Sequence, residues 1–130
     1  MRRNQLLAAA ANRFWQFGYG STSLADIAKD ADVRLGNVYY YFRTKQDLAE
    51  GVANIFVEET QSMLSQVSET EPDPRRRIVA LLRRLSQSSR SRVDNGCPIA
   101  LAVRDFRRDA PTASARAAYS FELLIGFIGR

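Results

Sequence analysis

The amino-acid sequence predicts an all-α fold, with seven helices along its 130 residues. Apolar residues recur at the 3.6-residue spacing of amphipathic helices, as Ala10, Phe14 and Phe17 do near the N-terminus. No segment shows the alternation of apolar and polar residues between turn formers that is typical of a half-buried strand. Capping residues and prolines mark where several helices begin. Together these patterns favour helices joined by short turns.

The first three helices are bounded by local signals. Gly18 ends the first helix, since glycine is favoured where a helix stops. Ser23 is a good N-cap for the second helix, and Asp26 at the third helical position completes an acidic version of the capping box. Asp32 and Val33 then form a tight turn before the third helix. The predicted bounds are about residues 3–18, 24–31 and 35–41.

Four further helices follow. Thr44 caps the long fourth helix, again with an acidic partner at Asp47. Pro74 and Pro98 suit the first positions of the fifth and sixth helices, because proline lacks the N–H that would be unpaired there. Pro111 separates the sixth helix from the seventh. The predicted bounds are about residues 45–68, 74–85, 98–108 and 112–130.

Composition excludes several classes of function. The chain has no histidine and one cysteine, Cys97. Ser-His-Asp and Cys-His catalytic arrangements therefore cannot form within the chain, and a Cys/His zinc site has no ligands. No glycine-rich loop of the kind that binds phosphate is present in the sequence. We expect a protein that is not an enzyme and that holds no metal and no cofactor.

Charge favours an anionic partner. The net charge is +5, and the stretch from Arg34 to Lys45 has three basic residues and no acidic one. No run of about 18 apolar residues indicates a membrane span, and Leu6–Ala11 is too short an apolar stretch for a signal peptide. The sequence therefore predicts a cytoplasmic protein without a membrane partner.

Residues 24–48 contain two helix-sized segments joined by a short turn, as in a helix-turn-helix. The second helix of such a motif enters the major groove of DNA. There the amide of Asn37 can pair with adenine, and the guanidinium of Arg34 can reach guanine or the backbone. Leu35 offers apolar contact to a thymine methyl group, and Gly36 permits close approach of the helix.

Phosphate contacts are expected beside these base contacts. Tyr39–Tyr41 cannot all be buried on one helix, so at least one phenol faces outward and can donate to a phosphate. Lys45, Thr22 and Ser23 lie at helix starts, where backbone amides attract anions. A tyrosine-rich helix taken alone is more often part of a core. The candidate DNA-binding residues are Thr22, Ser23, Arg34, Leu35, Gly36, Asn37, Tyr39, Tyr40 and Lys45.

The joint spacing of the pattern from Gly18 to Leu48 resembles the DNA-binding domain of the TetR family of bacterial transcriptional repressors. The resemblance implies a DNA-binding domain at residues 1–48 and a helical ligand-binding and dimerising domain at 49–130. Arg34 replaces the family's usual serine or threonine, and Asp32 replaces a small residue. The matching positions are Gly18, Tyr19, Thr22, Ser23, Ile27, Ala28, Ala31, Val33, Gly36, Val38, Tyr39, Phe42, Lys45 and Leu48.

The resemblance also implies a function. It suggests a homodimeric repressor that binds operator DNA and is released by a small-molecule effector. The alternative is a helical protein-interaction module, derived from such a regulator, that does not bind DNA. Members of the family usually have two further long helices, so we expect the domain at 49–130 to be incomplete.

Candidate effector-binding residues come from the later helices. Their apolar side chains could line a cavity, although residues at helical spacing are more often ordinary core. Cys97 precedes Pro98 at a helix start, where the helix dipole favours a reactive thiolate; the alternative is an inert, buried cysteine. The candidates are Phe56, Met63, Cys97, Val103, Phe106 and Phe121.

Overall fold

The computed structural model describes residues 2–87 and 97–129. In these ranges the chain forms seven helices and no strand, which confirms the all-α prediction. The observed bounds lie close to those expected; the fourth helix, for example, ends at Thr70. The helices are α1 (Arg2–Phe17), α2 (Leu24–Ala31), α3 (Leu35–Tyr41), α4 (Lys45–Thr70), α5 (Pro74–Gln87), α6 (Pro98–Phe106) and α7 (Pro111–Ile128).

The turn between α2 and α3 is closed by backbone hydrogen bonds at the end of α2. The N–H of Val33 donates to the carbonyl of Ala28 over 3.0 Å, and that of Asp32 donates to Lys29 over 3.2 Å. Asp32 has a left-handed conformation with φ of 57°. These features form a Schellman motif, which fixes the direction in which the chain leaves α2 and enters α3.

α1 and α4 approach each other closely at Gly51. A β-carbon at this position would lie 2.5 Å from Cδ2 of Leu7 and 3.4 Å from Cε1 of Phe42. Because Leu7 and Phe42 are themselves buried, there is little room for their side chains to move. The glycine thus lets the first turns of α4 pack against α1 and the end of α3.

One buried core joins α1–α3 to the later helices. Leu6, Ile27 and Val38 of the first three helices are fully buried, and the same cluster includes Phe106 from α6 and Ala117 from α7. The predicted domain boundary after residue 48 falls inside α4, within this continuous core. The division at residue 48 remains a prediction.

α7 packs along α4 through small residues. Ala113, Ala117 and Ser120 are buried on α7, and the Arg116 guanidinium donates to Oδ1 of Asn54 on α4 over 2.9 Å. α5 lies against the other end of α4, where Arg77 donates to the carbonyl of Ser68. Within the described ranges, none of the helices is both long and apolar enough to cross a lipid bilayer.

Candidate nucleic-acid interface

α3 buries one side and presents the other to solvent. Val38 is fully buried and holds the helix against the core. On the opposite side Tyr40 is 82% exposed, and on the flanks of the helix Tyr39 and Leu35 are 50% and 40% exposed. The sequence-based expectation that at least one tyrosine faces outward is therefore met by more than one. α3 thus presents two aromatic rings and a leucine to solvent.

Gly36 lies in the middle of the outward face. Apart from its two chain neighbours and the backbone of α3 itself, a β-carbon built on it would meet no protein atom within 4 Å. Packing inside the protein therefore does not require glycine here, although glycine weakens a helix by roughly 0.5–1 kcal/mol relative to alanine. The position forms an open notch on the surface, and we use the name Gly36 notch for it below.

The predicted polar contacts of α3 lie at two places around this face. Arg34 is the N-cap residue, is exposed, and makes no side-chain cap hydrogen bond. Asn37 is half-buried at the side of the helix. Both side chains can extend toward a groove that receives α3, Arg34 from the entrance of the helix and Asn37 from its flank.

The two residues predicted at the start of α2 have different positions. Ser23 is exposed and forms a capping box in which its hydroxyl accepts from the N–H of Asp26 over 3.1 Å. Thr22 is only 3% exposed, and its hydroxyl donates to the carbonyl of Gly18 over 2.9 Å. With its hydroxyl proton engaged inside the fold, Thr22 stabilises the loop before α2. We therefore leave Thr22 out of the proposed DNA interface.

Lys45 lies at the first position of α4 and is half-buried. Its ammonium lies 4.1 Å from the centre of the Tyr19 ring, a cation–π contact. Burial lowers the pKa of Lys45 from its ordinary value, and the negative charge of Asp109 acts in the opposite direction. The lysine thus has a structural contact in addition to the predicted phosphate contact.

Two basic residues near α3 were not among the DNA-binding residues predicted from the sequence. The guanidinium of Arg3, on α1, lies 5.4 Å from the centre of the Phe42 ring, directly after α3. Arg43 follows Phe42 and is exposed. The sequence shows the basic pair Arg2 and Arg3, but helical periodicity does not show that α1 begins beside the end of α3.

An ion pair fixes α1 to α2. Nε of Arg13 lies 2.8 Å from Oδ2 of Asp30. The hydrogen bond from Arg13 holds the pKa of Asp30 below its usual value, and the same bond raises the pKa of Arg13. Because both groups are close to the surface, the pair adds at most a modest stabilisation. It connects α1 to the end of α2, the first helix of the helix-turn-helix.

The candidate effector-binding residues are only partly brought together. Phe56 and Phe106 line a common cavity between α1, α4 and α6 whose volume is about 10 Å³. Val103 is partly buried against the core, while Met63, Cys97 and Phe121 are half-buried elsewhere. A cavity of this size holds about one water molecule and is far smaller than a typical small-molecule site.

Comparison with known sequences also indicates a helix-turn-helix at α2 and α3. Residues 6–52 match the sequence model described as bacterial regulatory proteins, tetR family. The chain belongs to the TetR family. The matched residues run from α1 through the helix-turn-helix to the first turns of α4, the part of this TetR-family chain described above.

Individual relatives are regulators of transcription by name. Over 80 residues the chain is 30% identical to the HTH-type transcriptional repressor KstR2 of Mycolicibacterium smegmatis. The aligned segment covers 62% of this chain and 39% of KstR2. Over 101 residues it is 33% identical to the HTH-type transcriptional regulator LmrA of Bacillus subtilis, covering 76% of this chain and 54% of LmrA. The matched segment thus spans about half of these relatives or less.

Solved structures share the fold of this TetR-family chain. A TetR transcriptional regulator from Legionella pneumophila superposes with a TM-score of 0.80, over 95% of this chain and 67% of that one. A TetR-family regulator from Streptomyces coelicolor gives a TM-score of 0.64, over 100% of this chain and 70% of that one. The sequence identities are 21% and 25%, and the likeness concerns the fold.

Replacing Asp32 with glycine is expected to raise the free energy of unfolding by ~0.5–1 kcal/mol. Among the described residues Asp32 is the only non-glycine residue with a positive φ, and glycine adopts that conformation without strain. Urea unfolding followed by circular dichroism measures the change. Asp32→Asn is the matched control, because it removes the same charge and keeps a β-carbon. Equal stability of the two variants would contradict the explanation.

Proposed function

We propose that this chain is a sequence-specific DNA-binding regulator of transcription that inserts α3 into the major groove of operator DNA. The observation that supports this most directly is the outward face of α3, where Leu35, Tyr39 and Tyr40 are exposed beside the open Gly36 notch. A surface with large exposed side chains around a close-approach point suits a macromolecular partner.

Charge around α3 suits a DNA backbone. Arg34 lies at the entrance of the helix, and Arg43 and Lys45 follow its end. Arg3 reaches the same end of α3 from α1 through its contact with Phe42. These cations flank the helix at both ends, which is where the two phosphate backbones of a major groove lie when a helix occupies it. Ser23, exposed at the start of α2, can donate its hydroxyl proton to a phosphate as well.

We further propose that the regulator is a repressor that acts as a homodimer in the cytoplasm. KstR2, one of the relatives, is named a transcriptional repressor. Ile125 and Ile128 on α7 expose apolar surface that a second copy can cover. A two-fold dimer would contact half-sites about 34 Å apart, or a multiple of that distance.

Release by a small-molecule effector is the last part of the proposal. The cavity lined by Phe56 and Phe106 has a volume of only about 10 Å³, so an effector can bind there only if the surrounding helices separate. α4 both lines this cavity through Phe56 and begins directly after α3. Separation of the helices would therefore displace α4, and with it α3, the proposed recognition helix. Met63, Cys97, Val103 and Phe121 remain candidates for the enlarged pocket.

Fluorescence anisotropy tests DNA binding. The full chain is titrated into labelled DNA from upstream of its own gene and into a scrambled duplex of equal length, at about 50 and 200 mM salt. We expect a specificity ratio on the order of 10³ or more for the upstream DNA. Equal, weak and steeply salt-dependent binding to both duplexes would contradict the proposal.

A pair of arginine variants separates recognition from general charge. Arg34→Ala is expected to weaken binding to the specific duplex by about tenfold, because Arg34 borders the face of α3. Arg75→Ala removes the same charge from an exposed position on α5. This helix packs at the end of α4 that lies away from α3. We expect that control to change the affinity by no more than about twofold. Equal losses for both variants would indicate nonspecific attraction alone.

A further inference from the structure

The turn between α6 and α7 (residues 107–110) has two exposed arginines, neither of which belongs to the proposed DNA contacts. In the part of the chain that the structure describes, the Arg107 guanidinium forms no ion pair. The Arg108 side chain is 94% exposed, and its Nε lies 3.9 Å from Oδ1 of Asp109, which makes a weak surface pair. Asp109 can offset only one of the two positive charges, so at least one is available to a partner outside the chain.

The end of α6 lies close to the starts of α2 and α4, where phosphate contacts are proposed. Phe106, the last residue of α6, packs edge-to-face on Tyr19 with the ring centres 5.2 Å apart. The ammonium of Lys45 lies 4.1 Å from the centre of the same Tyr19 ring. A β-carbon on Gly18 would lie 3.7 Å from Oδ2 of Asp105, so α6 also reaches the loop before α2. The α6–α7 turn therefore begins beside the proposed DNA interface.

The charge of the α6–α7 turn acts on the first residue of α4. Burial lowers the pKa of Lys45 and raises that of Tyr19, and the negative charge of Asp109 raises both. Charges at a protein surface act on one another over about a Debye length, which is about 10 Å in 0.1 M salt. Arg107 and Arg108 thus belong to a turn that is near the place where Lys45 is expected to meet a phosphate.

Resting on the proposed DNA binding by α3, we propose that the α6–α7 turn is a second contact surface for DNA, with Arg107 and Arg108 bound to backbone phosphates beside the one that Lys45 contacts. Guanidinium groups suit this role, because their planar set of N–H donors matches the oxygens of a phosphate. Phosphate contacts carry no sequence information, so the turn adds affinity for any duplex and leaves the choice of sequence to α3. DNA binding then extends beyond residues 1–48 into the later helices.

The salt dependence of binding tests this second surface. The double variant Arg107→Ala, Arg108→Ala of the full chain is titrated by fluorescence anisotropy into the upstream and scrambled duplexes, between about 50 and 200 mM salt. Each lost phosphate contact reduces the slope of log affinity against log salt by about 0.9, so we expect a slope that is shallower by about 1–2. The affinity at the lowest salt should fall about tenfold for both duplexes, and the specificity ratio should stay within about twofold of that of the unchanged chain.

The double variant Arg75→Ala, Arg76→Ala is the matched control. Both residues are exposed on α5, and Nε of Arg76 lies 3.9 Å from Oδ2 of Asp73, the same distance as in the pair of Arg108 with Asp109. The control removes the same charge from the end of α4 that lies away from α3. We expect it to change the slope by less than about 0.5. Urea unfolding compares the stability of the two variants.

The outcomes separate this inference from the proposed function. If the unchanged chain prefers the upstream duplex and the variant without Arg107 and Arg108 keeps the full slope, the second surface is contradicted and DNA binding by α3 stands. Equal reductions of the slope by the two double variants would also overturn it, since general charge would then explain the effect. If the unchanged chain binds both duplexes equally, the proposed function fails, and the inference with it.

Discussion

Replacing Phe106 with alanine is expected to lower the free energy of unfolding by ~3–5 kcal/mol. The Phe106 side chain is fully buried and forms edge-to-face contacts with Phe14 and Tyr19, whose ring centres lie 5.6 and 5.2 Å away. Truncation removes both ring contacts and leaves a cavity that the surrounding helices can only partly close.

Urea unfolding measures the loss, with circular dichroism and the fluorescence of Trp15 as two probes. Phe17→Ala is the matched control, because Phe17 lies on α1 but is mostly exposed. We expect the control to cost less than about 1 kcal/mol. Equal stability of the two variants would contradict the role assigned to Phe106.

The same substitution is expected to weaken DNA binding. Tyr19 contacts Phe106 on one side and the ammonium of Lys45 on another, so it links α6 to the start of α4. Loss of Phe106 allows the Tyr19 ring to move, and with it Lys45 beside the recognition helix. If residues 1–48 instead folded independently of α6, the affinity for DNA would be unchanged at temperatures where the variant is folded.

The helices were predictable because their ends are determined locally. The capping boxes predicted at Ser23 and Thr44 are both present, each with its aspartate partner. Pro98 is the first residue of α6, as expected, and Pro111, predicted to separate the last two helices, is itself the first residue of α7. Hydrogen bonds between residues three apart depend little on the rest of the fold, which is why a single sequence indicates them.

Burial and contacts between distant residues could not be predicted from these local signals. Thr22 and Ser23 are both hydroxyl residues in the loop before α2, but Thr22 is buried there and Ser23 is exposed. Similarly, the sequence places Lys45 at the start of a helix without indicating the Tyr19 ring beneath its ammonium. The Tyr19 ring is held by Phe14 of α1 and Phe106 of α6, and helical periodicity contains no information about such packing.

Phe106 illustrates the same limit. Its spacing marks an inward-facing residue, which suits either a cavity wall or ordinary core. The structure has Phe106 beside a cavity of about 10 Å³ and in contact with two other rings. The choice between a cavity wall and ordinary core depends on the positions of Phe14 and Tyr19, which lie on a helix and a loop far away in sequence.

Replacing Gly36 with alanine is expected to have opposite effects on stability and on DNA binding. The free energy of unfolding should rise by ~0.5–1 kcal/mol, because alanine favours the helix and its β-carbon meets no protein atom within 4 Å beyond its chain neighbours and the backbone of α3. The affinity for specific DNA should fall by about tenfold, since an added methyl group in a packed interface costs on the order of 1–3 kcal/mol. Urea unfolding and anisotropy titration measure the two effects.

Gly126→Ala provides the matched control for this experiment. Gly126 lies inside α7, and its β-carbon would likewise meet no atom within 4 Å beyond its chain neighbours and the backbone of α7. Both substitutions should therefore stabilise the fold by a similar amount, but only that at Gly36 should weaken DNA binding. If Gly36→Ala stabilised the chain and bound DNA as tightly as before, α3 would not approach DNA through the Gly36 notch. The expected opposite signs would instead show that the glycine is needed for a partner outside the chain, because the folded protein alone would be more stable without it.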